Sequence, residues 1–180
     1  MRQRLQRLHD KLRWSGHLEF RVASFALPSG DVIEREYFEH PGGVTIVALT
    51  PRQELVLVRQ YRFTLDQCTL EFPGGTLEAG ESPEVAAKRE LLEESGYESN
   101  DWTLLGEFFL APGYSTEVQR VYLARDSQPA VQKVAADDDE WITEVLCWPT
   151  DQWQAFLKSP SQTDAKTLAA WQLAKLQLAE

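Results

Sequence analysis

The stretch GGTLEAGESPEVAAKRELLEESGY, residues 74–97, holds paired glycines, a marked helix start and an acidic run. Ser82 predicts an N-cap, Pro83 suits the first helical position, and Glu84 complements the positive end of the helix dipole. Gly96 supplies the stop, so a helix is predicted over residues 83–94. At about 100° per residue Glu90 shares one side with Glu93 and Glu94, above Ala86 and Ala87 one turn earlier. Lys88 and Arg89 fall on other sides of the wheel, and Val85, Leu91 and Leu92 point in two further directions, which predicts a helix packed on several sides. Like charges at these spacings repel by a few tenths of a kcal/mol when exposed. At ~6 Å and an effective dielectric of about 20 the cost rises to roughly 3 kcal/mol per pair. A solvated acidic face is the plain alternative. A packed helix carrying this row predicts hard divalent cations on oxygen ligands, Mg²⁺ or Mn²⁺ (or Ca²⁺) rather than zinc.

The rest of the chain narrows the class. With 28 acidic against 18 basic residues among 180, the formal net charge is -10, which argues against affinity for a phosphate polymer such as nucleic acid. No apolar run approaches the roughly 20 residues of a spanning helix, and the Arg-rich start is not a secretory signal, so a cytoplasmic protein with no membrane partner is expected. Cys68 and Cys147 lie outside any C-x-x-C spacing and read as small buried hydrophobes; His9, His17 and His40 form no zinc pattern. Two Mg²⁺ ions would let so acidic a chain attract an anionic substrate.

Leu5, Leu8 and Leu12 among the basic residues 2–13 predict a short amphipathic N-terminal helix. Strands are expected at residues 18–25 and 32–38, joined by the turn Pro28-Ser29-Gly30-Asp31, and at 44–49, 55–59, 102–109, 119–124 and 141–148. Residues 131–139 read as a loop, and 151–158 and 164–179 as helices. No repeat, linker or low-complexity tract appears, which predicts one domain over residues 1–180.

Gly75, five residues, Glu81, seven residues, Arg89-Glu90-Leu91, one residue, Glu93-Glu94, one residue, Gly96-Tyr97: this spacing resembles the Nudix box of hydrolases that cleave a diphosphate linked to a group X. Only Tyr97, where an aliphatic is usual, departs from it. The resemblance implies an α+β Nudix fold, a mixed β-sheet sandwiched between helices, with an N-terminal β-hairpin extension. It implies metal held by Glu90, Glu94 and the Gly74 carbonyl, with Glu93 bridging or assisting, and Arg89 orienting a glutamate. Gly75 and Gly80 would let the loop approach the metal.

Further segments resemble the ADP-ribose pyrophosphatase group of that family. Arg59-Gln60-Tyr61-Arg62 followed by Leu70-Glu71-Phe72-Pro73-Gly74-Gly75 is similar to its strand pair, which implies that Arg62 contacts the diphosphate. Pro112, fifteen positions past Tyr97, matches the subgroup's proline. The likeness implies a general base in the acidic run 137–140, Glu140 with Asp139 in reserve; a solvated acidic loop is the alternative. The N-terminal segment 1–42 resembles one exchanged in a homodimer, where Arg35 and Tyr37 would contact the nucleoside. The implied reaction is Mg²⁺-dependent hydrolysis of ADP-ribose or a related nucleoside diphosphate sugar to a nucleoside monophosphate and a sugar phosphate. GDP-mannose or a dinucleoside polyphosphate as substrate, a non-catalytic nucleotide sensor and a scaffold remain alternatives.

Overall fold

The computed structural model describes residues 4–131, 141–158 and 160–179. Its contacts divide the chain into two compact units, one comprising residues up to Gly42 with Phe109–Val118, the other Gly43–Phe108 with Gln119–Glu180.

The first unit is built on an antiparallel sheet, β1 (Gln6–Ser15), β2 (Glu19–Ala26) and β3 (Val32–Glu39), in that order. The turn between β2 and β3 closes as expected, with Leu27 N–H on the Asp31 carbonyl at 2.8 Å and Gly30 at φ 92. The predicted N-terminal helix is overturned: these residues form β1. The reason lies in two register shifts, which leave Leu8 and Arg13 as extra residues against β2. Each bulge adds one residue to the two-residue strand repeat, so same-face residues recur at three and mimic a helical period. Arg7 and Asp10 accordingly stand on one face, where both reach Tyr37. The segment Phe109–Val118 lies along β3, with Phe38 N–H on the Tyr114 carbonyl at 2.8 Å and Thr116 N–H on the Phe38 carbonyl at 3.0 Å.

The second unit holds β4 (Gly43–Leu49), β5 (Glu54–Arg62), β6 (Gln67–Glu71), α1 (Pro83–Ser95), β7 (Tyr97–Glu98), β8 (Asp101–Phe109), β9 (Val118–Arg125), β10 (Gln128–Pro129), β11 (Ile142–Pro149), α2 (Thr150–Phe156) and α3 (Ala165–Leu178). Its main sheet runs β11-β5-β4-β9-β8, with β6 also on β5 and β4 parallel to β9; β7 and β10 form a small separate ladder. The mixed sheet between helices bears out the α+β expectation. Strand alternation sorts the core. Val44, Ile46, Ala48, Val56, Tyr122 and Ala124 face α1, while Val47, Leu49, Leu55, Leu57, Val121 and Leu123 join Trp153, Ala170, Trp171 and Ala174 of α2 and α3.

One irregularity of this sheet places the site. Strand β4 pairs with β5 only at Ala48 and Leu49, while β6 takes the same side of β5 from Val58 to Arg62. Past β6 the chain therefore crosses to β4, where Ile46 N–H bonds the Pro73 carbonyl at 2.8 Å and Val44 N–H the Gly75 carbonyl at 2.9 Å. A Cβ on Gly74 would strike the Val44 carbonyl and lie 2.9 Å from the Thr45 Cα, so backbone proximity excludes a side chain there.

Candidate active site

Helix α1 begins and ends as its sequence demands. The Ser82 hydroxyl accepts from Val85 N–H at 3.4 Å, Pro83 opens the helix, and Gly96 closes it at φ 70. Its buried residues are Ala86, Ala87, Glu90, Leu91 and Glu94. The expectation of packing on several sides is corrected: a single stripe is buried and Val85 is exposed. Two of the five inward positions carry carboxylates, only 5% exposed at Glu90 and 4% at Glu94. The alanines let the helix settle close to β4, which brings both carboxylates against residues 74–75.

The contacts there are specific. Gly74 N–H donates to Glu94 Oε2 at 2.7 Å, and a Cβ on Gly75 would collide with the Glu90 carboxylate. Arg89, assigned by the helical wheel to another side, reaches back to this face. Its Nη1 donates to Glu90 Oε1 and Glu93 Oε2, each at 2.9 Å. Nε and Nη2 grip the two oxygens of Glu81 at 3.0 Å each, and Nη2 also bonds the Thr76 carbonyl at 3.2 Å. The guanidinium holds the Glu81 carboxyl below its ordinary range, and the carboxylates in turn raise the Arg89 pKa. The acidic row is thus partly neutralised by Arg89, which bonds the glutamates as the resemblance implied although the helical wheel placed it on another side.

One guanidinium nevertheless serves Glu78, Glu81, Glu90 and Glu93, with the buried Glu94 one turn on from Glu90. Like charges so placed in a partly buried setting favour an added cation. Among the described residues no three acidic, imidazole or thiol groups close into a cage. The donors form an open set instead: two buried carboxylates, the partly exposed Glu93 and the backbone at Gly74. Oxygen donors with positions left open fit Mg²⁺ or Mn²⁺, which keep waters and accept substrate phosphate oxygens.

The remaining expected residues fall in separate places. Arg62 holds Glu71 bidentately, Nε to Oε1 at 2.8 Å and Nη2 to Oε2 at 2.6 Å. Burial would raise the Glu71 pKa, but Arg62, Lys166 and the Thr69 hydroxyl outweigh it and draw it down to about 2. Sequence reading did not pick out the ion pair of Glu71 with Lys166; Glu71 stands three residues before Gly74, but its partner is 95 positions away. In the first unit, Arg35, Tyr37 and Pro112 line one concavity of about 350 Å³ with Arg7, Phe25 and Tyr114. Tyr37 donates to Asp10 at 2.7 Å, and the Arg7 guanidinium lies over the rings of Phe25 and Tyr37 at 5.5 and 5.7 Å. Tyr97 tucks beside the α1-facing core, with its hydroxyl 3.1 Å from Cys147 Sγ; that contact and burial push the phenol up to about 12. Both cysteines are half-buried rather than buried. Glu140 and Asp139 lie outside the described residues.

Residues 39–171 match the NUDIX domain. The chain is 35% identical over 159 residues to an ADP-ribose pyrophosphatase of Bacillus subtilis (strain 168), covering 88% of this chain and 85% of that protein. It is also 35% identical over 160 residues to a methanol dehydrogenase activator of Bacillus methanolicus, covering 89% and 86%. A crystal structure of an ADP compounds hydrolase superposes with a TM-score of 0.84 at 25% identity, over 98% of this chain and 95% of that one.

Proposed function

The chain belongs to the Nudix family, and from that premise we propose that it hydrolyses ADP-ribose or a related nucleoside diphosphate sugar to a nucleoside monophosphate and a sugar phosphate. The observation that carries this is the burial of Glu90 and Glu94 against residues 74–75, with Arg89 reaching back to the acidic face. Mg²⁺ held by Glu90, Glu93, Glu94 and the Gly74 carbonyl would neutralise the diphosphate and lower the pKa of water. Arg89 keeps the glutamates aimed, since its fork fixes Glu81, Glu90 and Glu93 at once. Arg62 is assigned to the diphosphate, and Glu140 to the proton of the attacking water on the family resemblance alone, with Asp139 in reserve. Arg35, Tyr37 and Pro112 are assigned to the nucleoside, because the first unit gathers them in one concavity with two further aromatic rings.

We also assign the protein to the cytoplasm as a homodimer joined through its N-terminal segment. Strand β1 supports this: it ends the first unit's sheet and exposes Leu8, Leu12 and Trp14, with Leu5 exposed just before it, a combination that proteins otherwise cover. Light scattering should give twice the chain mass, and a monomer at all concentrations would refute the dimer. The function is tested by assaying purified protein with Mg²⁺ against ADP-ribose, GDP-mannose and dinucleoside polyphosphates. ADP-ribose should give the highest kcat/KM; preference for another of these would reassign the substrate, and turnover of none would sink the enzymatic reading.

A further inference from the structure

Strand β6 lies at the edge of β5, and its outer side is covered by the lead-in to α3. Leu70 N–H donates to the Gln162 carbonyl at 2.7 Å, Thr163 Oγ1 to the Leu70 carbonyl at 2.6 Å, and Phe72 N–H to Thr167 Oγ1 at 3.1 Å. Side chains continue the lacing. Lys166 Nζ stands 3.3 Å from Glu71 Oε2 and 2.9 Å from Asp164 Oδ2, the N-cap carboxylate of α3. Thr69 Oγ1 donates to Glu71 Oε1 at 2.6 Å. Glu71 is 2% exposed and receives the Arg62 fork through Nε and Nη2. Among the described residues Nη1 makes no hydrogen bond.

We propose that Glu71 and Lys166 are positioning residues: together they clamp Arg62 so that its free Nη1 end is presented to the substrate diphosphate, making α3 a working wall of the site. This rests on the function proposed above, through the assignment of Arg62. The network suits such a task. Arg62 and Lys166 are matched by Glu71 and Asp164, so it is balanced without any ligand and can hold one geometry before substrate arrives. A guanidinium with two of its nitrogens committed has little rotational freedom left, which lowers the cost of ordering it on a diphosphate.

The test is a double-mutant cycle of Lys166→Met and Arg62→Ala in the full chain. One readout is calorimetric binding of α,β-methylene ADP-ribose with Mg²⁺, and the other is kcat/KM for ADP-ribose. Lys166→Met should weaken analogue binding about tenfold by misplacing Arg62, and Lys166→Arg should restore it. In the Arg62→Ala background the same change should matter less than about twofold. Equal losses in both backgrounds, or no loss in either, would overturn the proposal. If Lys166→Met fails to fold by circular dichroism, Thr69→Val takes its place, with coupling of the same sign expected and additivity refuting. A wild type that binds the analogue but gives additive variants defeats the positioning role alone. A wild type that neither binds nor hydrolyses defeats the functional reading and this inference with it.

Discussion

Around Glu71 two cations share one buried carboxylate, whereas around Arg89 one cation serves four carboxylates. With Asp164 counted, the first cluster balances, whereas Arg89 alone is outnumbered by the carboxylates it pairs with. The two lie in the same compact unit, yet the physics differs. A balanced, hydrogen-bonded network is complete without a ligand, so its loss is felt in stability and alignment. An anionic face held by a single guanidinium is complete only with added cations, so its loss is felt in activity.

Substitutions at the two clusters should therefore differ in which loss is larger, that of activity or that of stability. The largest effect is expected for Glu94→Gln. Turnover should fall by about three orders of magnitude, the scale of several kcal/mol attached to metal-assisted charge stabilisation, and Mg²⁺, which should raise the Tm of the wild type, should leave that of the variant unchanged. Near-normal steady-state rates would remove Glu94 from the ligand set. Glu71→Gln should do the reverse to the fold. Two cations lose their shared buried partner, and urea denaturation should report a loss of about 3–5 kcal/mol.

Acid sharpens the same contrast. Glu71 is drawn from the ordinary 4.5 down to about 2. A depressed pKa stabilises the fold above the unfolded value, and that contribution is lost as pH falls through the folded one. Between pH 4.5 and about 2 the wild type should thus lose ~3 kcal/mol that Glu71→Gln does not have to lose. Parallel stability curves for the two proteins across this range would contradict it. The smallest effect should come from Tyr97→Leu, which touches neither cluster. It removes the contact to Cys147 and restores the aliphatic of the family pattern, so stability should shift by under about 1 kcal/mol with kcat/KM unchanged.

The contrast also explains what could be read from the chain. Helix α1 was legible because its signals are local: a cap, a proline, a left-handed glycine, and an inward stripe that carries Glu90 and Glu94. The reach of Arg89 was implied by the family resemblance but not by the helical wheel, which gives the direction of Cβ while the guanidinium lies several rotatable bonds beyond. The Glu71 network joins residues 95 positions apart, and nothing local to either announces the other. The N-terminal strand was misread because two bulges convert its two-residue repeat into a helical-looking one. Ladder β7–β10 is too short to leave any periodicity. The expected base, Glu140, lies outside the described residues.

The most direct test is a crystal soaked with Mn²⁺ and α,β-methylene ADP-ribose, read by anomalous scattering. The account predicts manganese in contact with the carboxylates of Glu90 and Glu94, with diphosphate oxygens on the same ion. No anomalous peak beside α1, with analogue bound elsewhere and both carboxylates still held by Arg89 and Gly74, would contradict it.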